Sequence, residues 1–516
     1  MCKCDVLRFC TKEKKMKELS QIVHIIDKNK PRKVEVLGNE EATSNHAELY
    51  NLLKEGRITT DEEAAAHFYG GAAAVNESAY RQFKSRFKKR LINTLFFLEK
   101  DNAEVTDLQN ATLYVHKEWA AINILYVKGD FKLAAKLAED LLPHAIKYEV
   151  TEIVIYIADR LRQGYGTQIA NRNRYNELKK LQDDYMESWR LEILAREIFH
   201  DIRMDYIKSS TAQLNSVEKA QQGWSVLQPH LEKKPSYQFI TYAYAVVLAQ
   251  YGNTTKDLQN IVALCDEAIA ILAQKTFNPQ RQIATFMNQK IACYAQLKEQ
   301  TAGEDVAKEA LSLQTEGSFS WFKTLEYQVS LAFNTKEYAK AFDILQDVQN
   351  HKSYKTLTLQ HYEIWQLFSA YLHFLAISGK IDAQALKQSK FKASKFVNDI
   401  PTFSTDKEGM NVPSLIVQIA ILIAEKKFAS IPDRLEALGK YWRRHIRKTD
   451  ATYRSHCFIK MLQELPKGHY KRLGIEARTR LMLRDLTTVP LNLAAQDYKI
   501  EVIPLEDLWA ILLALM

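Results

Sequence analysis

The chain between Gly129 and Leu141 reads Gly-Asp-Phe-Lys-Leu-Ala-Ala-Lys-Leu-Ala-Glu-Asp-Leu, which is a turn followed by one face of a helix. Gly129 closes one predicted helix, and Phe131 opens the next. Ala134, Ala138 and Leu141 then recur at helical spacing, with small side chains where a second helix must come close. The stretch therefore predicts a helical hairpin in which these five residues are packing positions.

The same pattern recurs twice farther along the chain. Tyr338 is followed by Ala341 and Leu345 at the offsets that Ala134 and Ala138 keep from Phe131. Phe428 is followed by Leu435 at the second of these offsets. A supersecondary unit that recurs and cannot bury its apolar face alone is typical of a repeat protein, in which stacked neighbours share a continuous core.

On these residues the chain resembles the tetratricopeptide-type helical repeat proteins, over roughly residues 106–450. The resemblance implies a right-handed α-solenoid of antiparallel helix pairs. It also implies a scaffold that binds a protein or peptide partner through its repeat surface.

Composition favours an all-α fold, because the 16 Gly and 11 Pro are few for the tight turns that sheets need. Four segments are predicted. They are an unpatterned N-terminus at 1–15, with Met16 as an alternative natural start; a small N-terminal helical domain at 16–105; tetratricopeptide-like repeats at 106–450; and a basic helical C-terminal region and cap at 451–516.

Within these segments, two local predictions can be compared with a structure. Residues Trp189 to Lys208 form an amphipathic pattern, and a polar connector is expected near Ser209 to Asn215. The apolar residues from Glu506 to Met516 predict a last helix that packs back as a cap, although an exposed tail that binds a partner is the alternative.

The chain is expected to be cytoplasmic. Its six cysteines have no disulfide-framework spacing, which indicates a reducing compartment. No apolar run reaches the roughly 18 residues of a spanning helix, so no membrane insertion is predicted. Cys2, Cys4 and Cys10 lack a fourth ligand at zinc-like spacing, and no metal site is predicted from them.

The first of two basic segments is the predicted helix from Ser78 to about Glu99, which has six cations and no acid up to Leu98. It could be the third helix of a helix-turn-helix unit that enters a DNA groove. It could equally be part of a three-helix cap, with basic stems lying over an apolar stripe. The candidate macromolecule-binding residues on it are Arg81, Lys84, Arg86, Lys88 and Lys89.

The second basic segment runs from Arg434 to Arg484, with 14 Lys and Arg against 4 Asp and Glu. Aromatic residues alternate with cations around Trp442, a pattern that suits nucleic-acid backbone contact with base stacking. An acidic protein partner or a solvated helix face would use the same charges. The candidate residues here are Arg443, Arg444, Arg447, Lys448 and Arg454.

No phosphate-binding loop, nucleophile elbow or two-histidine metal helix is present in the sequence. Gly164-Tyr165-Gly166 is interpreted as a turn, and Glu197 with His200 as surface residues. We therefore expect a non-enzymatic scaffold or adaptor without a cofactor. The leading alternative is a nucleic-acid-binding protein, since a helix-turn-helix followed by such repeats resembles the peptide-sensing transcriptional regulators of bacteria. An enzyme whose site is assembled from distant side chains also stays open.

Overall fold

The computed structural model divides the chain into two compact units, Met1–Val105 and Thr106–Met516. Each unit is described separately below. The structure describes residues 16, 18–27, 44–71, 75–96, 107–208, 210–232, 235–254, 257–382, 391–398, 411–445, 453–489 and 501–516.

The described part of the first unit is built from four helices around one core. Helix α3 begins with a capping box, because the Thr60 hydroxyl accepts from the backbone N–H of Glu63 at 3.2 Å and the Glu63 carboxylate accepts from that of Thr60 at 3.1 Å. The longest helix, α4, buries Tyr80, Phe83 and Phe87 in the core. The helices are α1 (18–27), α2 (Asn45–Lys54), α3 (Asp61–Tyr69) and α4 (Ser78–Leu95).

The described residues of the second unit are helices and turns without a strand, so the predicted all-α class is confirmed. No helix in the described ranges has both the length and the apolar character needed to cross a bilayer. The helices are α5 (Asp107–Lys128), α6 (Phe131–Lys147), α7 (Thr151–Gly164), α8 (Arg172–Lys208), α9 (Ser210–Leu227), α10 (Tyr237–Thr254), α11 (Leu258–Ala273), α12 (Gln280–Leu297), α13 (Gln300–Ser312), α14 (Phe319–Asn334), α15 (Tyr338–Asn350), α16 (Leu359–Ile377), α17 (Ala393–Asn398), α18 (Asn411–Ala424), α19 (Ile431–His445), α20 (Tyr453–Gln463), α21 (Arg472–Thr488) and α22 (Leu505–Ala514).

Successive helices of the second unit pack in neighbouring pairs, an arrangement compatible with a helical repeat. Alternate helices also touch, since α12 packs on α14 and α16 packs on α18. Contacts with several helices bury α18 almost completely, since every residue from Val412 to Ile423 is buried. A helix that is apolar on all sides is stable only when other helices surround it.

The turns between paired helices share one backbone geometry. Each has a residue of positive φ, and the next N–H donates to the carbonyl five residues earlier, as in the Schellman motif. At the α5–α6 turn Gly129 has a φ of 84° and Asp130 N–H donates to Leu125 at 3.1 Å. The other residues in this position are Glu149 (52°), Lys298 (59°), Lys336 (66°), Gly379 (69°), Lys426 (58°) and His469 (52°).

From α12 onward these positive-φ residues recur along the chain. Lys298, Lys336, Gly379 and Lys426 follow one another at intervals of 38, 43 and 47 residues. Each lies just after the end of a helix, which is α12, α14, α16 or α18 in turn. These intervals exceed the ~34 residues of a tetratricopeptide unit and reach the ~40 to 47 residues of longer helical repeats.

The positions expected to pack within the repeats are mostly buried. Ala134, Ala138 and Leu141 lie in one core cluster. Tyr338, Ala341, Leu345 and Leu435 lie in another.

Phe131 and Phe428 differ from the other packing positions. Phe131 is 50% exposed, which corrects the expectation that it packs in the core: it is the first residue of α6, and its ring centroid lies 6.2 Å from that of Tyr126. Phe428 is half-buried in a 3₁₀ turn before α19 and stacks on Tyr470 at 4.6 Å.

Helix α8 is longer than the sequence pattern predicted. It begins at Arg172 and runs for 37 residues, and α9 begins at Ser210, so the polar connector expected from Ser209 to Asn215 is wrong. Helices α7, α9 and α10 all pack on α8, and these tertiary contacts outweigh the weak local pattern of its polar first half.

The C-terminal helix α22 is part of the core, not an exposed tail. Leu508, Trp509 and Leu512 are buried among side chains of α18, α20 and α21. Two of the turn lysines reach it: Lys336 Nζ lies 2.7 Å from Asp507 Oδ1, and Lys426 Nζ donates to the carbonyl of Leu515.

Arg454 on α20 also holds this region together, which corrects its prediction as a surface residue for macromolecule binding. Its side chain is only 2% exposed. The guanidinium donates to Glu501 at 2.6 and 3.1 Å, to Glu506, and to the carbonyls of Leu486 and Val489. The charge is therefore used inside the fold, between α20, the end of α21 and the start of α22.

We expect Arg454→Ala to destabilise the protein by about 3–5 kcal/mol, because it leaves the buried Glu501 carboxylate without its partner. The matched control is Arg472→Ala, which breaks an exposed pair with Glu476 and should cost less than about 1 kcal/mol. Urea unfolding followed by tryptophan fluorescence measures both. Equal midpoints for the two variants would contradict a structural role for the Arg454 cluster.

We expect Lys298→Gly to raise the free energy of unfolding by about 0.5 kcal/mol, because glycine removes the cost of a side chain at positive φ and Lys298 has no ion pair among the described residues. Lys308→Gly, on the exposed face of α13, should instead lower it by about 1 kcal/mol. The same urea experiment compares them, and a shared decrease would show that the turn geometry is not as described.

Candidate functional site

The basic residues of α4 are partly used within the first unit. Lys84 Nζ lies 2.7 Å from Asp61 Oδ2, and both side chains are largely buried. The Tyr80 hydroxyl donates to the same carboxylate at 2.6 Å, and burial with this hydrogen bond raises the pKa of Tyr80. Lys84 is thus committed to a structural pair, which corrects its prediction as a binding residue.

Two further α4 cations have local partners. Lys88 Nζ lies 3.1 Å from Glu18, and Arg81 donates to the carbonyl of Asn76 at 2.7 Å. Arg86 and Lys89 are exposed, and no described acid lies within ion-pairing distance of either. The charge of this helix available to a partner therefore lies at Arg86 and Lys89, with the neighbouring Arg90.

The structure describes the side chains of two candidate residues in the second basic segment. Arg443 is exposed on α19, while Arg454 is buried on α20. The side chain of Arg444 and the whole of Arg447 and Lys448 lie outside the described residues. Of the described pair, Arg443 alone therefore has a side chain exposed to a partner.

An enclosed surface lies on the α5–α6–α7 hairpins, around the sequence quoted first. A cavity of about 550 Å³ opens between α6 and the end of α7. We call it the hairpin pocket. It is lined by Tyr126, Phe131, Lys132, Ala135, Lys136, Glu139, Arg160, Leu161, Gln163, Gly164, Tyr165, Thr167, Gln168 and Ile169.

Aromatic rings form part of the pocket wall. The Tyr126 and Phe131 ring centroids are 6.2 Å apart, and the Arg160 guanidinium lies 5.7 Å from the centre of the Tyr126 ring. Burial raises the pKa of Tyr126 against the opposing effect of Arg160. These rings offer apolar area beside a cation, which suits a side chain with an apolar body.

The charge in the hairpin pocket is positive. Its acid, Glu139, is held by Arg174, whose guanidinium donates at 2.6 and 3.3 Å. No described acid lies within ion-pairing distance of Lys132, Lys136 or Arg160. The three cations can therefore attract an anionic group with little competition from the protein itself.

A π-helical turn, Tyr165–Ile169, forms one side of the pocket. Such turns widen a helix locally and are frequent at functional sites. The turn ends at Ala170, whose φ is 55°. Burial, together with a hydrogen bond to Glu139, raises the pKa of Tyr165.

Most of the pocket lay outside the sequence prediction. Lys132 and Lys136 are part of the quoted hairpin, but helical spacing identifies only its packing face. The sequence predicts a turn at Gly164-Tyr165-Gly166, and the structure has a π-helical turn from Tyr165, in which a Cβ on Gly166 would lie 3.1 Å from the Tyr175 ring. The sequence signal for this part of the pocket is the pair of glycines, Gly164 and Gly166, on either side of Tyr165.

Within the described residues, no group of three or more His, Cys, Asp or Glu is placed to hold a metal ion. Glu197 and His200 lie on α8 and form no such group there. Cys2, Cys4 and Cys10 are outside the described residues.

Comparison of the chain with protein-family models, with curated proteins and with solved structures gives no match.

Proposed function

We propose that this protein is a non-enzymatic, cytoplasmic scaffold or adaptor, and that its second unit is a right-handed α-solenoid of the tetratricopeptide-like kind. The recurrent turns at Lys298, Lys336, Gly379 and Lys426 and the contacts between alternate helices support the repeat architecture. The proposed likeness to tetratricopeptide proteins is in the pairing of the helices, because the intervals of 38, 43 and 47 residues are longer than the ~34 residues of a tetratricopeptide unit.

The hairpin pocket is the observation that carries the binding role. Three cations without a described acidic partner stand beside aromatic rings in a cavity of about 550 Å³. Pockets of roughly 300–1,000 Å³ with apolar walls and a few convergent polar groups are typical ligand sites. The ligand it would accept is a peptide segment of a partner protein, with an Asp or Glu side chain for the cations and an apolar or aromatic side chain for the rings.

Selection from a random linear peptide library against the full chain tests this proposal. We expect enriched peptides to combine acidic with apolar residues, and their affinity to fall as salt is raised. Lys132→Glu/Lys136→Glu should weaken them at least about tenfold, because it reverses the charge that faces the ligand.

The matched control is Lys298→Glu/Lys308→Glu, the same charge change on exposed positions of another hairpin. Fluorescence anisotropy with labelled peptides gives the dissociation constants. Enrichment without acidic residues, or equal losses in the two variants, would remove the pocket as the binding site.

The alternative, a helix-turn-helix regulator or other nucleic-acid-binding protein, is favoured by one observation. Arg86, Lys89 and Arg90 lie on the exposed side of α4, and Arg90 and Arg86 add to desolvation in lowering the pKa of His46 on α2. These three cations therefore form a local positive patch that a phosphate backbone could contact.

For this alternative we expect labelled duplex DNA to bind with an affinity that falls steeply with salt. Arg86→Glu/Lys89→Glu/Arg90→Glu should abolish that binding, whereas Lys298→Glu/Lys308→Glu should leave it intact. Wild-type protein that shows no duplex binding at low salt would exclude the regulator.

A further inference from the structure

Helix α21 presents apolar side chains on the side opposite its core contacts. Leu473 is 82% exposed and Leu481 is 64% exposed. Ile475, Thr479 and Leu486 bury the other side against the core. At 100° per residue the two leucines and Ala477 lie together on the solvent side, so they cannot contribute to the packing of α21 on α20 and α22.

Cations share this exposed side of α21. Helical geometry places Arg480 and Arg484 between and beside the leucines. No described acid lies within ion-pairing distance of Arg480, and Arg484 has only an exposed contact of 3.5 Å with Asp485. The acids of the helix, Glu476 and Asp485, lie on its flanks instead of on this face. We call Leu473, Ala477, Arg480, Leu481 and Arg484 the α21 stripe.

We infer that the α21 stripe binds an acidic amphipathic helix of a partner protein. Such a helix would pack its own apolar residues against Leu473, Ala477 and Leu481 and direct Asp or Glu side chains at Arg480 and Arg484. This inference is independent of the hairpin pocket, because it uses a different element and a different form of ligand.

Other occupants fit the stripe less well. A second copy of this chain would place Arg480 and Arg484 against the same arginines, which repel. A nucleic-acid backbone offers phosphates but no apolar surface for the two exposed leucines of the stripe. A bilayer surface is usually met by interfacial aromatic residues, and the stripe has none.

The test uses the full-length chain and a displayed library of helix-stabilised peptides, each long enough for about four turns. Acidic peptides with apolar residues three and four positions apart are expected to be enriched. Their affinity should fall at least about tenfold in Leu473→Ser/Leu481→Ser and likewise in Arg480→Glu/Arg484→Glu.

Leu359→Ser is the matched control, since Leu359 is an exposed leucine, 60% accessible, on α16. It should leave the affinity unchanged, and thermal melting should show all variants folded. Basic or neutral enriched peptides would overturn the inference. The inference would also be overturned if the peptides bound both stripe variants with wild-type affinity. It would likewise be overturned if Lys132→Glu/Lys136→Glu were the one variant that lost peptide binding.

Labelled duplex DNA and phosphatidylglycerol vesicles are tested in parallel. Binding of either one that disappears in Leu473→Ser/Leu481→Ser would assign the stripe to that ligand and overturn the acidic helix. Absence of such binding, with the peptide losses above, supports it.

Discussion

The backbone turn between paired helices is the constraint on which the second unit depends. A residue at positive φ, followed by an N–H that bonds five residues back, reverses the chain and satisfies the helix's last carbonyls within a few residues. Because this turn recurs from Lys298 to Lys426, helices α12, α14, α16 and α18 can lie side by side. Neighbouring helix pairs then share apolar contacts, and α18 is buried on all sides.

The side chains at two of these turns make contacts that glycine could not make. Lysine at positive φ costs about 1–2 kcal/mol relative to the ordinary region. Lys336 and Lys426 offset that cost through contacts that glycine cannot make, since their ammonium groups reach Asp507 and the carbonyl of Leu515 on α22. Together with the buried Arg454 cluster, these contacts tie the C-terminal helix to hairpins that precede it by many residues.

The two proposed binding surfaces lie where this packing leaves side chains exposed. At the hairpin pocket a π-helical turn that follows α7 forms one side, and cations of α6 and α7 line the cavity. On α21 the packing needs only one side of the helix, which leaves leucines and arginines on the other. Both surfaces are cationic and partly apolar, and both would select acidic ligands, one as an extended segment and one as a helix.

The sequence alone determined the all-α class, most helix positions and the buried face around Ala134 and Ala138, because helical spacing and small residues are local signals. Tertiary structure decided which charges remain available. In the sequence, Arg454 and Lys84 cannot be distinguished from the exposed cations beside them. Their burial depends on pairing with Glu501 and Asp61, which come from distant segments of the chain. The pocket likewise joins residues of three helices through a π turn, and no local pattern encodes that meeting.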